Sequence, residues 1–254
     1  MIFPRFCLGC KTELKSGSNL VCASCIKNVN LIRGIHCHVC GLRTDRGSSH
    51  SRRCRKKTAL KGLFAAGHYQ DPILREMIHA FKYHSIEALK KPLAELVNAY
   101  IQKELLTNQP IVYKLKDCVL APVPLTLRRK INRGFNQSEL LALEIAKYLD
   151  APVMNLLKRK KFTDPQAEIS GWQKRKENIS GAFTLSPSYP PAQIFLSEAR
   201  PAIAGRQNYR FTKPIKRVIL VDDVATSGAT LEEAARILKQ AGVKEIYGLV
   251  IAKG

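Results

Sequence analysis

Two acids followed by small and hydroxylated residues, Asp222-Asp223-Val224-Ala225-Thr226-Ser227-Gly228-Ala229-Thr230, hold the richest chemistry in the chain. The carboxylates can accept hydrogen bonds from sugar hydroxyls. The small residues let backbone N–H groups converge on an anion, and the hydroxyls of Thr226, Ser227 and Thr230 add donors. The combination reads as a holder for a sugar phosphate. At the other end of the chain, Cys7-x2-Cys10, Cys22-x2-Cys25 and Cys37-x2-Cys40 form three knuckles, with Cys54 after them. A Cys-x2-Cys turn presents two thiolates to one tetrahedral ion, so Cys7, Cys10, Cys22 and Cys25 complete a structural zinc site. The second set is one ligand short. Lys57 stands where a fourth cysteine would close the last knuckle, and His50 can substitute to give Cys37-x2-Cys40-x9-His50-x3-Cys54, with His36 and His38 as rivals. A structural ribbon is the expected use of this set, ahead of an open catalytic zinc.

These groups need elements to place them. Val218 to Val221 is an apolar run suited to a strand buried on both faces of a parallel sheet, and Leu231 to Gln240 has the spacing of a helix packed on it. Asp222 and Asp223 then fall at the carboxyl end of the strand, where open α/β sheets bind ligands. Thr230 with Glu233 reads as a capping box opening the helix. Upstream, Pro72 to Tyr83 shows helical spacing, a second helix runs from about Ile86 to Leu106, and Cys118 to Pro124 begins a further strand with Cys118 as a small core residue. Asn136 with Glu139 suggests another capping box. The expected fold is α/β, a parallel sheet flanked by helices over residues 61–254, with a zinc ribbon over 1–60 that takes much of its folding energy from metal.

A chain of 254 residues accommodates one sizeable core plus a small module. It has no apolar run of the roughly 18 residues needed to span a membrane. Met1 to Phe6 lacks the apolar segment of a secretory signal, and metal-type cysteine spacing fits a reducing compartment, so a cytoplasmic location is expected. The formal charge of +22 overstates the real field because metal-bound thiolates are negative, yet a large excess remains. It clusters at Arg52-Arg53-Cys54-Arg55-Lys56-Lys57, Arg128-Arg129-Lys130, Lys158-Arg159-Lys160-Lys161 and Lys174-Arg175-Lys176. Such clusters attract polyanions, and Phe135, Phe162 and Trp172 lie near enough in sequence to stack on unpaired bases.

The run from Val218 to Thr230 resembles the 5-phosphoribosyl-1-pyrophosphate (PRPP) signature of type I phosphoribosyltransferases. The knuckles, Tyr69, Phe81-Lys82-Tyr83, Val123-Pro124-Leu125, Arg133-Gly134-Phe135-Asn136-Gln137-Ser138, Gln166, Arg175, Asn178 and Phe183 extend the resemblance to the ComF family of competence proteins along nearly the whole chain. The resemblance implies a type I phosphoribosyltransferase-like fold, with Asp222 and Asp223 on the ribose hydroxyls and Ala225, Thr226, Ser227, Gly228, Ala229 and Thr230 around the 5-phosphate. Mg2+ would accompany PRPP, and Lys82, Arg128, Arg129, Lys130 and Arg133 are candidates for pyrophosphate or DNA contacts. It further implies a role in natural transformation, handling single-stranded DNA in the cytoplasm. Two alternatives stand beside this: an active transferase acting on a base or amine, and a ribbon adaptor for a helicase or other DNA-processing partner. The connection from Ser186 to Pro214 is longer than the resemblance leads one to expect.

Overall fold

The computed structural model describes residues 5–14, 20–44, 51–106, 115, 117–161, 172–187 and 215–254. His50, Phe162, Gln166 and the stretch 188–214 lie outside them, as do the side chains of Trp172 and Arg175.

The chain opens with β1 (Arg5–Phe6), β2 (Glu13–Leu14), α1 (Ala23–Asn28), β3 (Ile35–His36), β4 (Arg43–Thr44) and α2 (Arg52–Arg55). There follow β5 (Gly62–His68), α3 (Pro72–Tyr83), a 3-10 turn at Glu87–Leu89, α4 (Lys90–Leu106) and β6 (Val119–Pro122). Next come α5 (Leu127–Arg133), α6 (Gln137–Leu149), β7 (Leu157–Arg159), α7 (Trp172–Ile179) and β8 (Phe183–Leu185). The described chain ends with β9 (Arg217–Ala225), α8 (Ala229–Gln240) and β10 (Glu245–Lys253).

Six strands form one sheet in the order β4-β3-β5-β10-β9-β6, with β5, β10, β9 and β6 parallel and β3 antiparallel to both its neighbours. The stretch 218–221 of β9 shows why that part of the strand is continuously apolar. Ile219 and Val221 pack with Phe81, Leu93, Val97, Leu141 and Ile145 on one face, while Val218 and Leu220 pack with Leu231, Ala235 and Leu238 on the other. Successive side chains point to opposite faces, so burying both faces requires every position to be apolar.

The ribbon shares this core. β3 joins the main sheet through His36 opposite Leu63, and Cys7, Val21, Cys25, Val29 and Ile35 belong to the same buried cluster as Phe64 and Leu74. The phenol of buried Tyr100 donates to the carbonyl of Gly34 at 2.7 Å. Asp71 caps α3 by accepting from the N–H groups of Ile73 and Leu74 at 3.0 Å each, with Pro72 at the first helical position. Its other oxygen accepts from the N–H of Asn30, tying the ribbon to the helix that delivers Lys82 and Tyr83.

Candidate functional site

Asp222 and Asp223 lie in the carboxyl-terminal part of β9, which runs two residues past them to Ala225, and both acids are already engaged. Lys82 Nζ lies 2.9 Å from Asp223 Oδ1, and Ser138 Oγ donates to Asp222 Oδ1 at 2.9 Å. Burial works against the Lys82 charge, but Asp223, by charge and hydrogen bond, together with Asp222 and Tyr83 outweighs it and holds the amine above the ordinary lysine value. Burial, then the neighbouring Asp223 charge, pushes Asp222 up to about 6 against the opposing pull of Lys82. Asn136 caps α6 and accepts from the N–H of Ser138, while its amide donates to Val123 O at 3.2 Å. That pair of bonds fixes Ser138 beside Asp222.

The loop beyond the acids surrounds a recess of about 40 Å³ lined by Asp222 and Val224 to Leu231. The helix begins two residues earlier than the sequence suggests. Gly228, at φ 68°, caps α8, so Thr230 lies inside the first turn and the Thr230–Glu233 capping box does not form. Glu233 instead accepts from the N–H of Gly181 at 2.9 Å and pairs with Arg236. Gly228 is required twice over. Its left-handed backbone strains any other L-residue, and a Cβ there would collide with the ring of His38, which rests against the loop.

A larger cleft of about 160 Å³ adjoins the recess, and the two share Asp222, Val224, Thr226 and Thr230. Lys82, Arg129, Arg133 and Arg159 converge on its walls with Tyr69 and Tyr83. Of the basic candidates, Lys82, Arg129 and Arg133 therefore reach the cleft, whereas Arg128 and Lys130 lie exposed on α5 outside it. Arg159 was not singled out by sequence reasoning, which placed it in a general basic cluster. The β7–β8 pair carries it over the ring of Phe183 at 5.3 Å and into the cleft; burial and the charge of Arg129 lower it to about 10, leaving it cationic at neutral pH. Nothing local in its sequence marks that destination.

The sulfurs of Cys7, Cys10, Cys22 and Cys25 lie within 4.8 Å of one another, as do those of Cys37, Cys40 and Cys54. Cys10 and Cys22 sulfurs are 3.8 Å apart, the edge length of a zinc tetrahedron with bonds of about 2.3 Å. Backbone N–H groups of Cys22 and Cys25 donate to the sulfurs of Cys7 and Cys22, and the Thr12 hydroxyl helps lower Cys10 to about 6. Burial pushes the Cys25 thiol the other way, up to about 12, so it is the convergence of four sulfurs with N–H donors around them that fits zinc. Neither His36 nor His38 joins the three-cysteine cluster; His36 sits in the sheet, and His38 Nε2 faces Glu232 at 3.8 Å. Cys118 is buried, with its thiol directed at Leu115 O, in keeping with a core role.

Comparison with known proteins agrees with this architecture. A double zinc ribbon model matches residues 1–56, and a phosphoribosyl transferase domain model matches residues 136–253. Competence protein F of Haemophilus influenzae is 30% identical over 250 residues, spanning 97% of this chain and 96% of that protein. The chain belongs to the ComF family of competence proteins. Competence protein ComFC of Bacillus subtilis is 28% identical over 229 residues, covering 87% of this ComF chain and 79% of its relative. The DNA utilization protein YhgH of Escherichia coli K12 is 26% identical over 245 residues, covering 96% and 94% respectively. This ComF protein thus combines a phosphoribosyltransferase-like, mostly parallel sheet with cysteine clusters of zinc-ribbon type. Among the described residues, no helix is long and apolar enough to cross a membrane.

Proposed function

We propose that the cleft binds PRPP or a related ribose phosphate and that the protein also engages single-stranded DNA in the cytoplasm during transformation. The observation that carries the first part is the continuity of the two recesses through Asp222, Val224, Thr226 and Thr230. It joins a small anion-sized hollow at a helix N-terminus to a cleft with two carboxylates and several cations. In this reading the 5-phosphate occupies the hollow and the ribose hydroxyls donate to Asp222 and Asp223. Arg129, Arg133 and Arg159 face the pyrophosphate, with Mg2+ shared among its oxygens. Lys82 neutralises Asp223 until the ligand arrives. Calorimetric titration of PRPP with Mg2+ into zinc-loaded protein tests the site. Wild type is expected to bind and the folded Asp222→Asn, Asp223→Asn double variant to lose binding; no heat with wild type would reject the reading.

The raised Asp222 gives this site a recognisable pH response. Below about pH 6 its carboxylate takes up a proton and can no longer accept two sugar hydroxyls, so PRPP affinity should fall. Stability moves the other way. A carboxyl whose folded pKa lies above its unfolded value binds its proton more readily in the native state, so this group's contribution improves as pH falls from above 6 toward 4. Asp222→Asn should therefore be more stable than wild type at pH 7, with the difference shrinking on acidification. Parallel melting curves at pH 4, 5 and 7 would show it.

Transfer onto a base or amine is the chemical extension of the same site. Loss of pyrophosphate leaves positive charge on the sugar, which the carboxylates of Asp222 and Asp223 beside the ribose would stabilise. Release of pyrophosphate in a screen of nucleobases and amines would establish it.

A further inference from the structure

We propose that Tyr83, Arg133 and α5 form the single-strand binding surface of this protein, with a nucleobase stacked on Tyr83 at the mouth of the ribose-phosphate cleft and the flanking phosphates following α5. The inference rests on the nucleic-acid partner proposed above and gives it a place.

Four observations lead there. Tyr83 lines the cleft yet is 58% exposed, a large aromatic surface at the end of an amphipathic helix whose buried face is Leu74, Met77, Ile78, Ala80 and Phe81. The Arg133 guanidinium stands over its ring at 5.5 Å, and the ring of exposed His79 lies 4.8 Å away. Guanidinium and aromatic planes both stack on unpaired bases, and this pairing is tolerant of sequence because every base has a π-face. Next, α5 buries none of its seven residues. It exposes Leu127 at 75% and Ile131 at 70%, one turn apart, among Arg128, Arg129, Lys130 and Arg133. An intramolecular packing role would have buried one face; this helix instead offers cations and apolar contact together, which suits a polyanion with exposed bases.

The support beneath is rigid. Phe81 is fully buried and meets Phe135 at a centroid distance of 5.4 Å, locking the end of α3 to the segment that follows α5. Arg133 also donates to Gln137 at 3.3 Å, anchoring it to the first turn of α6. The platform is therefore held in place before any ligand arrives. Because Arg129, Arg133 and Tyr83 also line the cleft, a strand on this surface and a ligand in the cleft compete for the same side chains.

Fluorescence anisotropy with an oligothymidylate and an abasic strand of equal phosphate count separates stacking from simple charge attraction. Wild type should prefer oligothymidylate. Tyr83→Ala should reduce that affinity by about 5- to 150-fold, toward the abasic value, while Tyr83→Phe retains it. Lys130→Ala should weaken both strands and lower the salt slope by about 0.7 for the phosphate contact it loses. PRPP with Mg2+ should displace the oligothymidylate. Melting temperature and zinc content establish that Tyr83→Ala is folded. Equal affinity for the two strands, an unchanged Tyr83→Ala, or PRPP binding without displacement would each overturn this inference while leaving the proposed function standing. Failure of wild type to bind any strand would instead remove the nucleic-acid part of that function. Binding to phosphatidylglycerol vesicles that Leu127→Ser, Ile131→Ser abolishes, with no strand bound, would assign the surface to a membrane.

Discussion

The two cysteine clusters look like repeats, yet they are attached to different things. The first has four thiols and lies against the core: a Cβ on Gly9 would press on Cys25 and Ile73, and Val21 and Val29 pack in the cluster that includes Leu74. The second has three described thiols and lies against α8 and the loop that precedes it. His38, between Cys37 and Cys40, rests on Gly228, while Glu232 of α8 accepts from the Ala59 N–H at 2.7 Å and from the Thr58 hydroxyl just beyond Cys54. One knuckle pair staples the fold. The other braces the loop that lines the smaller recess, so similar spacing in sequence meets the core in one place and the candidate site in the other.

Removing one thiol from each cluster should separate the roles most widely. Around the first, β1 and β2 are two residues each and cannot persist as a lone hairpin, so Cys25→Ser should cost the zinc and at least about 3 kcal/mol, a melting loss of roughly 10 °C. Cys54→Ser leaves β3 paired in the main sheet and should cost less stability but more PRPP affinity. Metal analysis, melting curves and calorimetry on the two variants give the pattern. Identical profiles would break the comparison.

Next in size is the contact between His38 and the loop. Gly228→Ala places a Cβ both in a left-handed conformation, costing about 1–2 kcal/mol, and into the His38 ring. PRPP affinity should fall about tenfold or more by those two terms together. Adding His38→Ala should restore the part caused by the collision and leave the backbone part. The two substitutions should thus be non-additive by about 0.5–3 kcal/mol. Additivity would mean the ring and the loop do not feel one another.

Sequence carried the site unevenly for the same reason. Asp222, Asp223 and the loop to Thr230 were legible because strand, acids, small residues and helix are contiguous, and the cysteine pairs because a metal knuckle is closed within four residues. The helix from Pro72 to Tyr83 was legible from its period. The place of Arg159, the contact of His38 with the loop and the pairing of Lys82, itself a candidate from the sequence, with Asp223 depend on contacts across the chain. Lys82 reaches Asp223 and His38 reaches Gly228 only because the sheet order brings β5, β10 and β9 side by side. The Thr230–Glu233 reading failed because a glycine with positive φ starts the helix earlier and Glu233 finds a partner in Gly181. The extension of the sheet by β3 and β4 was likewise invisible, since two-residue strands leave no periodicity.

If the second cluster braces the phosphate site, ligand and metal must influence each other equally in free energy. In an equilibrium competition with a chelator, PRPP should raise the zinc affinity of the second cluster by about fivefold or more and leave that of the first nearly unchanged. Equal protection of both would indicate general stabilisation and erase the distinction between the two regions.

The smallest effect is the most diagnostic of how the brace works. Glu232 holds Thr58 and Ala59, but it also places a negative charge in the first turn of α8, beside the hollow proposed for phosphate. Glu232→Gln should lose about 1 kcal/mol of hydrogen bonding, a melting loss of about 2–4 °C, because an amide nitrogen cannot accept the Thr58 proton. The same change removes repulsion from a bound anion, worth about 0.3–1 kcal/mol in the opposite direction, so PRPP affinity should move less than about threefold. Thr58→Val breaks the same link with the charge retained, and also takes an acceptor from the Leu60 N–H. Its affinity should fall further than that of Glu232→Gln at a similar loss of stability. Equal affinities in the two variants would show that the helix-terminal charge contributes nothing and that the second ribbon acts on the loop through geometry alone.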